Sequence, residues 1–362
     1  MTVGLPQGIL SDRSIAALWQ AGVVTAPQPP DADQIQPASL DLRAGSVAIR
    51  VRASFLPGRA ATVAERLADL RLHEIDLSQG AVLETGCVYI VPLLEALALP
   101  EGIAAAANPK SSTGRLDVFT RVITDRAQEF DTIPTGYNGP LYLEVSPRTF
   151  PIVIRTGSRL SQIRFRRGRA RLDDDAHRAL HAATPLVDGE LHVDNGLVLS
   201  IDLDPPQGDI LGYRAKRHTG VIDVDRRASY DMLDFWDPLA ARGRPELILD
   251  PDQFYILVSR EAVHVPPGYA AEMVPFDPLV GEFRVHYAGF FDPGFGNSGA
   301  GGAGSRAVLE VRSHEVPFVL EHGQIVCRLV YEKMATPPTV LYGAGIGSNY
   351  QAQGLKLSKH FR

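Results

Sequence analysis

The chain has 362 residues, more than one hydrophobic core usually serves, so two domains of roughly 150–200 residues are expected. Its 45% hydrophobic and 22% charged content is that of an ordinary globular protein, and a net charge of −6 argues against broad attraction to nucleic acid or anionic membrane. Two scattered cysteines, Cys87 and Cys327, exclude a disulfide framework and a cysteine zinc site; both suit buried apolar positions. The start, Met-Thr-Val-Gly-Leu-Pro, has no basic region ahead of an apolar run, and Leu93–Leu99 is far too short to span a bilayer. A cytoplasmic protein is the expectation.

Along the chain, Ser11 is placed to cap a short helix with Ile15, Leu18 and Trp19 on one face and Gly22 as its stop. After it, short apolar runs alternate with Gly and Pro: Ser46–Val51, Val88–Val91, Leu141–Val145, Phe150–Arg155, Gln162–Phe165. Such runs have strand length and β-branched or aromatic content, and predict a mostly-β barrel or sandwich with a few short helices. Arg166–Arg171, followed by Asp173–Asp175 and a helical patch to about Ala183, reads as a charged connector. Beyond it the pattern returns. Leu83–Val91 with Pro100 and Gly102 is echoed by Leu249–Leu257 with Pro266 and Gly268, and Leu143-Glu144-Val145 by Leu309-Glu310-Val311, always 166 residues apart. A spacing held this long means one fold used twice. The chain divides as 1–175, a linker over 176–190, and 191–362, the last carrying a lid-like tail after the glycines at 343–347. The glycine-rich stretch 296–304 lacks the Lys-Ser/Thr ending of a phosphate loop and reads as a hairpin tip.

Lys110-Ser111-Ser112-Thr113-Gly114-Arg115 occurs in the first copy only; it gathers two cations, three hydroxyls and a glycine, a composition suited to phosphate and also to a polar surface turn. Glu144 and Glu310 each interrupt an apolar strand, so each carboxylate points either into a cleft or to solvent. In a cleft, a glutamate gains a raised pKa and can shuttle protons at neutral pH. The tail mixes Tyr350, Gln351, Gln353, Lys356 and Lys359, groups able to close over a base and its phosphates.

Gln36-Pro-Ala-Ser-Leu-Asp41-Leu-Arg43, the Lys110–Arg115 turn ahead of Leu143-Glu144-Val145, Asp292-Pro293-Gly294-Phe295 and Tyr350-Gln-Ala-Gln-Gly354 together resemble the signatures of the dCTP deaminases within the dUTPase-like superfamily. The resemblance covers most of the chain; the tandem duplication departs from it, and the second copy has Phe276, Asp277 and Gly281 where the first has Lys110, Ser111 and Arg115. It implies two dUTPase-like β-barrel or β-clip domains, a trimer-based homo-oligomer with sites between neighbouring copies, and hydrolysis of dCTP to dUTP and ammonia. No metal would act at the ring, and Mg²⁺ would ride on the triphosphate. The His-x-Glu and Pro-Cys-x-x-Cys ligands of zinc deaminases do not occur. The residues implied are Glu144 or Glu310 as general acid–base with Ser111 and Arg115. Lys110, Ser112, Arg126, Asp292, Tyr350, Gln351, Gln353 and Lys356 are the implied substrate contacts. Rings of three first copies would join Arg115 to Glu144, which favours Glu144 as the base; Glu310 shares its copy with Asp292 and the tail, which favours a composite site. The other readings are a dUTP diphosphatase or bifunctional deaminase–diphosphatase, and a non-catalytic nucleotide-binding regulator.

Overall fold

Residues 12–20 form the first helix, Asp12–Gln20, because Ile15 and Leu18 recur on one face and are fully buried there. The computed structural model describes residues 6–241, 243–275, 283–285, 289–297, 304–313, 315–343 and 354–362. Nearly everything else of regular structure is strand, in short runs separated by turns.

The repeat is visible strand for strand. In the first copy one sheet runs Arg71–Asp76, Val47–Val51, Val88–Ala98, Asn138–Pro147, Val118–Thr124. The second copy repeats that order with Trp236–Ala240, Ile210–Ala215, Phe254–Val263, Ser305–Ser313, Phe283–Val285. The opposing sheets match too. Leu40–Leu42, Ser161–Arg167, Ile103–Pro109 and Thr132–Ile133 correspond to Leu197–Ser200, Ile325–Lys333, Tyr269–Pro275 and Phe290–Phe291. Register is kept as well: Glu144 lies opposite Ile90, and Glu310 opposite Ile256, each partner again 166 residues on.

What covers the two equivalent sheet faces differs. Successive side chains of a strand point to opposite faces. On Ser305–Ser313, Leu309 and Val311 enter the second copy's own core. Val308 instead joins the first copy's core, as do Ile256 and Phe254 across the sheet and Ala215, Ile222, Phe235 and Trp236 nearby. The side of the strand that carries Glu310 is therefore packed against the first copy. The copies also exchange backbone pairing, since Ile222–Asp223 lies parallel to Ile152–Ile154. In the first copy the same face is closed locally. Ile90 and Ile123, which share a face with Glu144, pack with Phe55, Val63 and Leu67 around the helix Val63–Leu70, with Phe130 and Tyr142 against them. That helix is held by a complete capping box of Thr62 and Glu65, which satisfies two otherwise unpaired amide donors.

The segment read as a linker overlaps the helix Asp174–Ala183, whose His177 is buried and accepts the Tyr331 amide through Nε2 at 3.1 Å. The tail corrects one expectation. Residues 354–362 are not a weightless lid: Leu357, Ser358 and His360 are buried, and the Phe361 ring lies 5.4 Å from Phe235 and 5.9 Å from Trp236. A parallel bridge from Tyr230 to Phe361 anchors the end of the chain.

Candidate active site between the two copies

The turn after strand Ile103–Pro109 closes as a one-turn helix, Ser111–Gly114. The amides of Thr113 and Gly114 reach back to the Lys110 carbonyl, and that of Arg115 to the Ser111 carbonyl. This directs the Arg115 side chain, only 4% exposed, out of the first copy and into the second. Its Nε lies 3.9 Å from Glu310 Oε1, and its Nη1 donates to the Lys356 carbonyl at 2.9 Å. Three separate parts of the chain converge here: the first-copy turn, the second-copy strand and the tail. Ser358 ties the tail to the turn by donating from Oγ to the Ser112 carbonyl at 2.8 Å.

Glu310 is 5% exposed, and burial pushes its carboxyl up to about 7. Arg115 opposes that rise and the negative charge of Asp117 adds to it. A carboxyl poised there can take a proton from water and return it near neutral pH. His360 is pulled down to about 4, first by burial, so it is a neutral ring bridging Ser358 and the Val224 carbonyl.

Next to this lies a cationic group. Lys110 Nζ is paired with the buried Asp41, and Arg159 Nη1 lies 3.6 Å from the same carboxylate. Lys359 is lowered to about 8, mainly by burial and then by the charge of Lys110. Asp292 is buried and its carboxyl is raised by that burial, with Arg164 Nη2 3.4 Å away opposing the rise.

The structure thus brings Lys110, Ser111, Ser112, Arg115, Glu310 and Lys356 to one region. It does not bring Glu144 there. Glu144 Oε1 accepts from Arg121 Nη2 at 2.6 Å and Nε at 3.0 Å within its own sheet. The Arg121 guanidinium in turn sits 3.6 Å over the Phe130 ring. Within the chain the expected contact of Arg115 with Glu144 is not made: the face bearing Glu144 is filled by Arg121 and the cluster around Val63–Leu70. Arg126 is exposed with its backbone in the left-handed region (φ 61), near the start of that helix and apart from the turn. Tyr350, Gln351 and Gln353 lie outside the described residues, as does most of the glycine-rich stretch. Asp117, Arg312 and Ser358 were not singled out as site residues. Lys359 had a signal in the composition of the tail, and Asp41 in its place in the Gln36–Arg43 signature.

Comparison with known proteins finds a match for each half of the chain. Residues 6–169 match the model of the N-terminal domain of 2'-deoxycytidine 5'-triphosphate deaminase, and residues 173–361 that of its C-terminal domain. The chain belongs to the dCTP deaminase family. It is, accordingly, an enzyme of the hydrolytic deaminase class. It is similar to the crystal structure of 2'-deoxycytidine 5'-triphosphate deaminase from Agrobacterium tumefaciens, with 68% identity, a TM-score of 0.88, and coverage of 91% of this chain and 99% of that one. The dCTP deaminase of Haloarcula marismortui is 29% identical over 161 residues, covering 43% of this chain and 79% of its own length. The dUMP-forming dCTP deaminase of Beutenbergia cavernae is 33% identical over 161 residues, with 43% and 78% covered. Those relatives align with less than half of this chain, in keeping with a fold used twice.

Proposed function

We propose that the chain hydrolyses the cytosine amino group of dCTP, giving dUTP and ammonia, with Glu310 as the general acid–base. The observation that carries this reading is the pairing of a buried, proton-poised Glu310 with Arg115 from the other copy. In the proposed reaction, water adds at C4 of the ring as the Glu310 carboxylate takes its proton and delivers it to N3. Glu310 then takes the remaining proton from the new C4 hydroxyl and gives it to the amino group, so that C4=O forms as the C4–N bond breaks and ammonia leaves. Arg115 opposes full protonation of Glu310 and, with Ser111, orients the water. Lys110, Ser112 and Lys359 supply cations and donors for the phosphates.

Among the described residues no three or more His, Cys, Asp or Glu side chains gather where a metal ion could sit. The residues near the turn are mainly cations, a donor set that fits Mg²⁺ held through the triphosphate rather than in a protein cage. Bound so, the ion would neutralise phosphate charge, while this chain's own residues hold and move the protons. A cytoplasmic nucleotide enzyme is part of the same proposal; among the described residues no helix is long and apolar enough to cross a membrane.

A second reading has its own support, because several relatives, including that of Beutenbergia cavernae, are named as dUMP-forming. One incubation with dCTP and Mg²⁺, followed by resolution of nucleotides, pyrophosphate and ammonia, separates the cases. Ammonia with dUTP is expected, and it should persist under a zinc-selective chelator. Ammonia with dUMP and pyrophosphate would establish the bifunctional reaction. Pyrophosphate without ammonia would make the chain a diphosphatase, and no turnover at all would leave a nucleotide-binding regulator.

A further inference from the structure

Two residues beyond Arg115 on one side of the site, and two beyond Glu310 on the other, a second ion pair crosses between the copies. Arg312 projects from the same face of strand Ser305–Ser313 as Glu310, since the two are separated by one residue. Its Nη2 pairs with Asp117 Oδ2 and donates to Thr149 Oγ at 3.1 Å, while Nη1 bonds the Asp252 carbonyl. Thr149 Oγ donates to Asp117 Oδ2 at 2.5 Å. Asp117 itself closes the turn, its amide reaching the Gly114 carbonyl at 2.8 Å and its carbonyl receiving the Arg148 amide at 2.9 Å. Both charges are enclosed, with side-chain exposures of 1% for Asp117 and 8% for Arg312.

A buried ion pair is a poor means of adding stability, because apolar groups of similar volume usually serve as well. What such a pair does supply is register: it is satisfied in one relative placement and strongly penalised in others. We propose that Asp117 and Arg312 are a positioning pair, which sets the first-copy turn against the second-copy strand so that Arg115 meets Glu310. The claim rests on Glu310 being the acid–base group.

The pair also sets charge. The charged groups facing Glu310 are Arg115 from the turn, Asp117 behind it and Arg312 on its own strand, while Cys327, on the strand Ile325–Lys333, lies behind the sheet in the second copy's core. Asp117→Asn removes a negative charge and leaves a positive one unmatched; Arg312→Gln does the reverse. Asparagine also tolerates the left-handed backbone of position 117 (φ 56), so the first change is clean.

The test is the pH dependence of kcat and KM for dCTP in both variants, with Glu310→Gln measured alongside. Each variant should lose at least about tenfold in kcat with KM within about threefold. The acid limb of kcat should move to lower pH in Asp117→Asn and to higher pH in Arg312→Gln. A merely structural pair would lower the melting temperature and leave kcat and both limbs in place, which would overturn the proposal. Should a single variant not fold, the uncharged pair Asp117→Asn with Arg312→Gln replaces it, and wild-type kcat there would equally overturn it. If Glu310→Gln stays active, the acid–base assignment fails and the positioning role with it. If Glu310→Gln is dead while Asp117→Asn behaves as wild type, only the positioning role fails.

Discussion

Glu310→Gln is expected to cost turnover at least roughly 10²–10⁴-fold, the usual worth of a positioned acid–base group, with dCTP still bound. Glu144→Gln, at the same place in the other copy, should stay within a few fold of wild type, because Glu144 is committed to Arg121 and closed off by the cluster around Val63–Leu70. Its effect should fall on stability, by about 1–3 kcal/mol, as a charge-assisted bond weakens. The first substitution carries an opposite signature in stability. The folded-state pKa of Glu310, at about 7, exceeds the unfolded value of 4.5. Between those values the folded chain holds a proton that the unfolded chain has released, so this group's contribution is fully present below about pH 4.5 and lost as pH rises through 7. At pH 8 the buried charge costs on the order of 3 kcal/mol, which glutamine avoids. Glu310→Gln should therefore melt above wild type at pH 8, with the gap closing at pH 5. Inactivity of Glu144→Gln with an active Glu310→Gln would reverse the assignment.

Truncation after Gly354 is expected to damage both folding and chemistry. It removes Leu357 and Phe361, packed against the core, each contributing about 1.5–3 kcal/mol. It also removes the Ser358–Ser112 bond and the Lys356 carbonyl that receives Arg115. The melting temperature should fall by roughly 5–10 °C, and the surviving folded fraction should turn over dCTP poorly because Arg115 loses an anchor. Calorimetry and single-turnover assays on the same preparation would separate the two losses. An unchanged melting temperature would restore the view of the tail as a lid alone.

The duplication was legible in the sequence because Pro, Gly and the Leu-Glu-Val triplet keep one spacing across both copies, and the sheets follow it down to the Ile90 and Ile256 partners. Strand alternation also told that Glu144 and Glu310 leave their own cores. It could not tell what lies beyond, since that depends on which other segment reaches the face. In the first copy the residues from Phe55 to Leu70 do so, a segment whose partner is set by tertiary packing rather than by pattern. The pairing of Asp117 with Arg312 was hidden for the same reason: 195 residues separate them, and neither stands in a motif. The tail misled through texture. Its last eight residues are largely polar, and the two that anchor it, Leu357 and Phe361, look incidental among lysines and serines. The turn at Lys110–Arg115 was visible as hydroxyls, cations and a glycine within six residues, but that composition also suits a polar surface turn, and only its combination with the other signatures pointed to a nucleotide.

As proposed, one chain builds a whole reacting site from its own two copies. Co-expression of Arg115→Ala with Glu310→Gln tests it most directly. If turn and glutamate come from the same chain, every chain in the mixture lacks one essential group, and the co-expressed preparation should be as inactive as either variant alone. If the turn of one chain instead serves the glutamate of another, a share of the mixed sites would carry both native residues. Recovery of about a quarter of wild-type turnover in the mixture would then contradict the account.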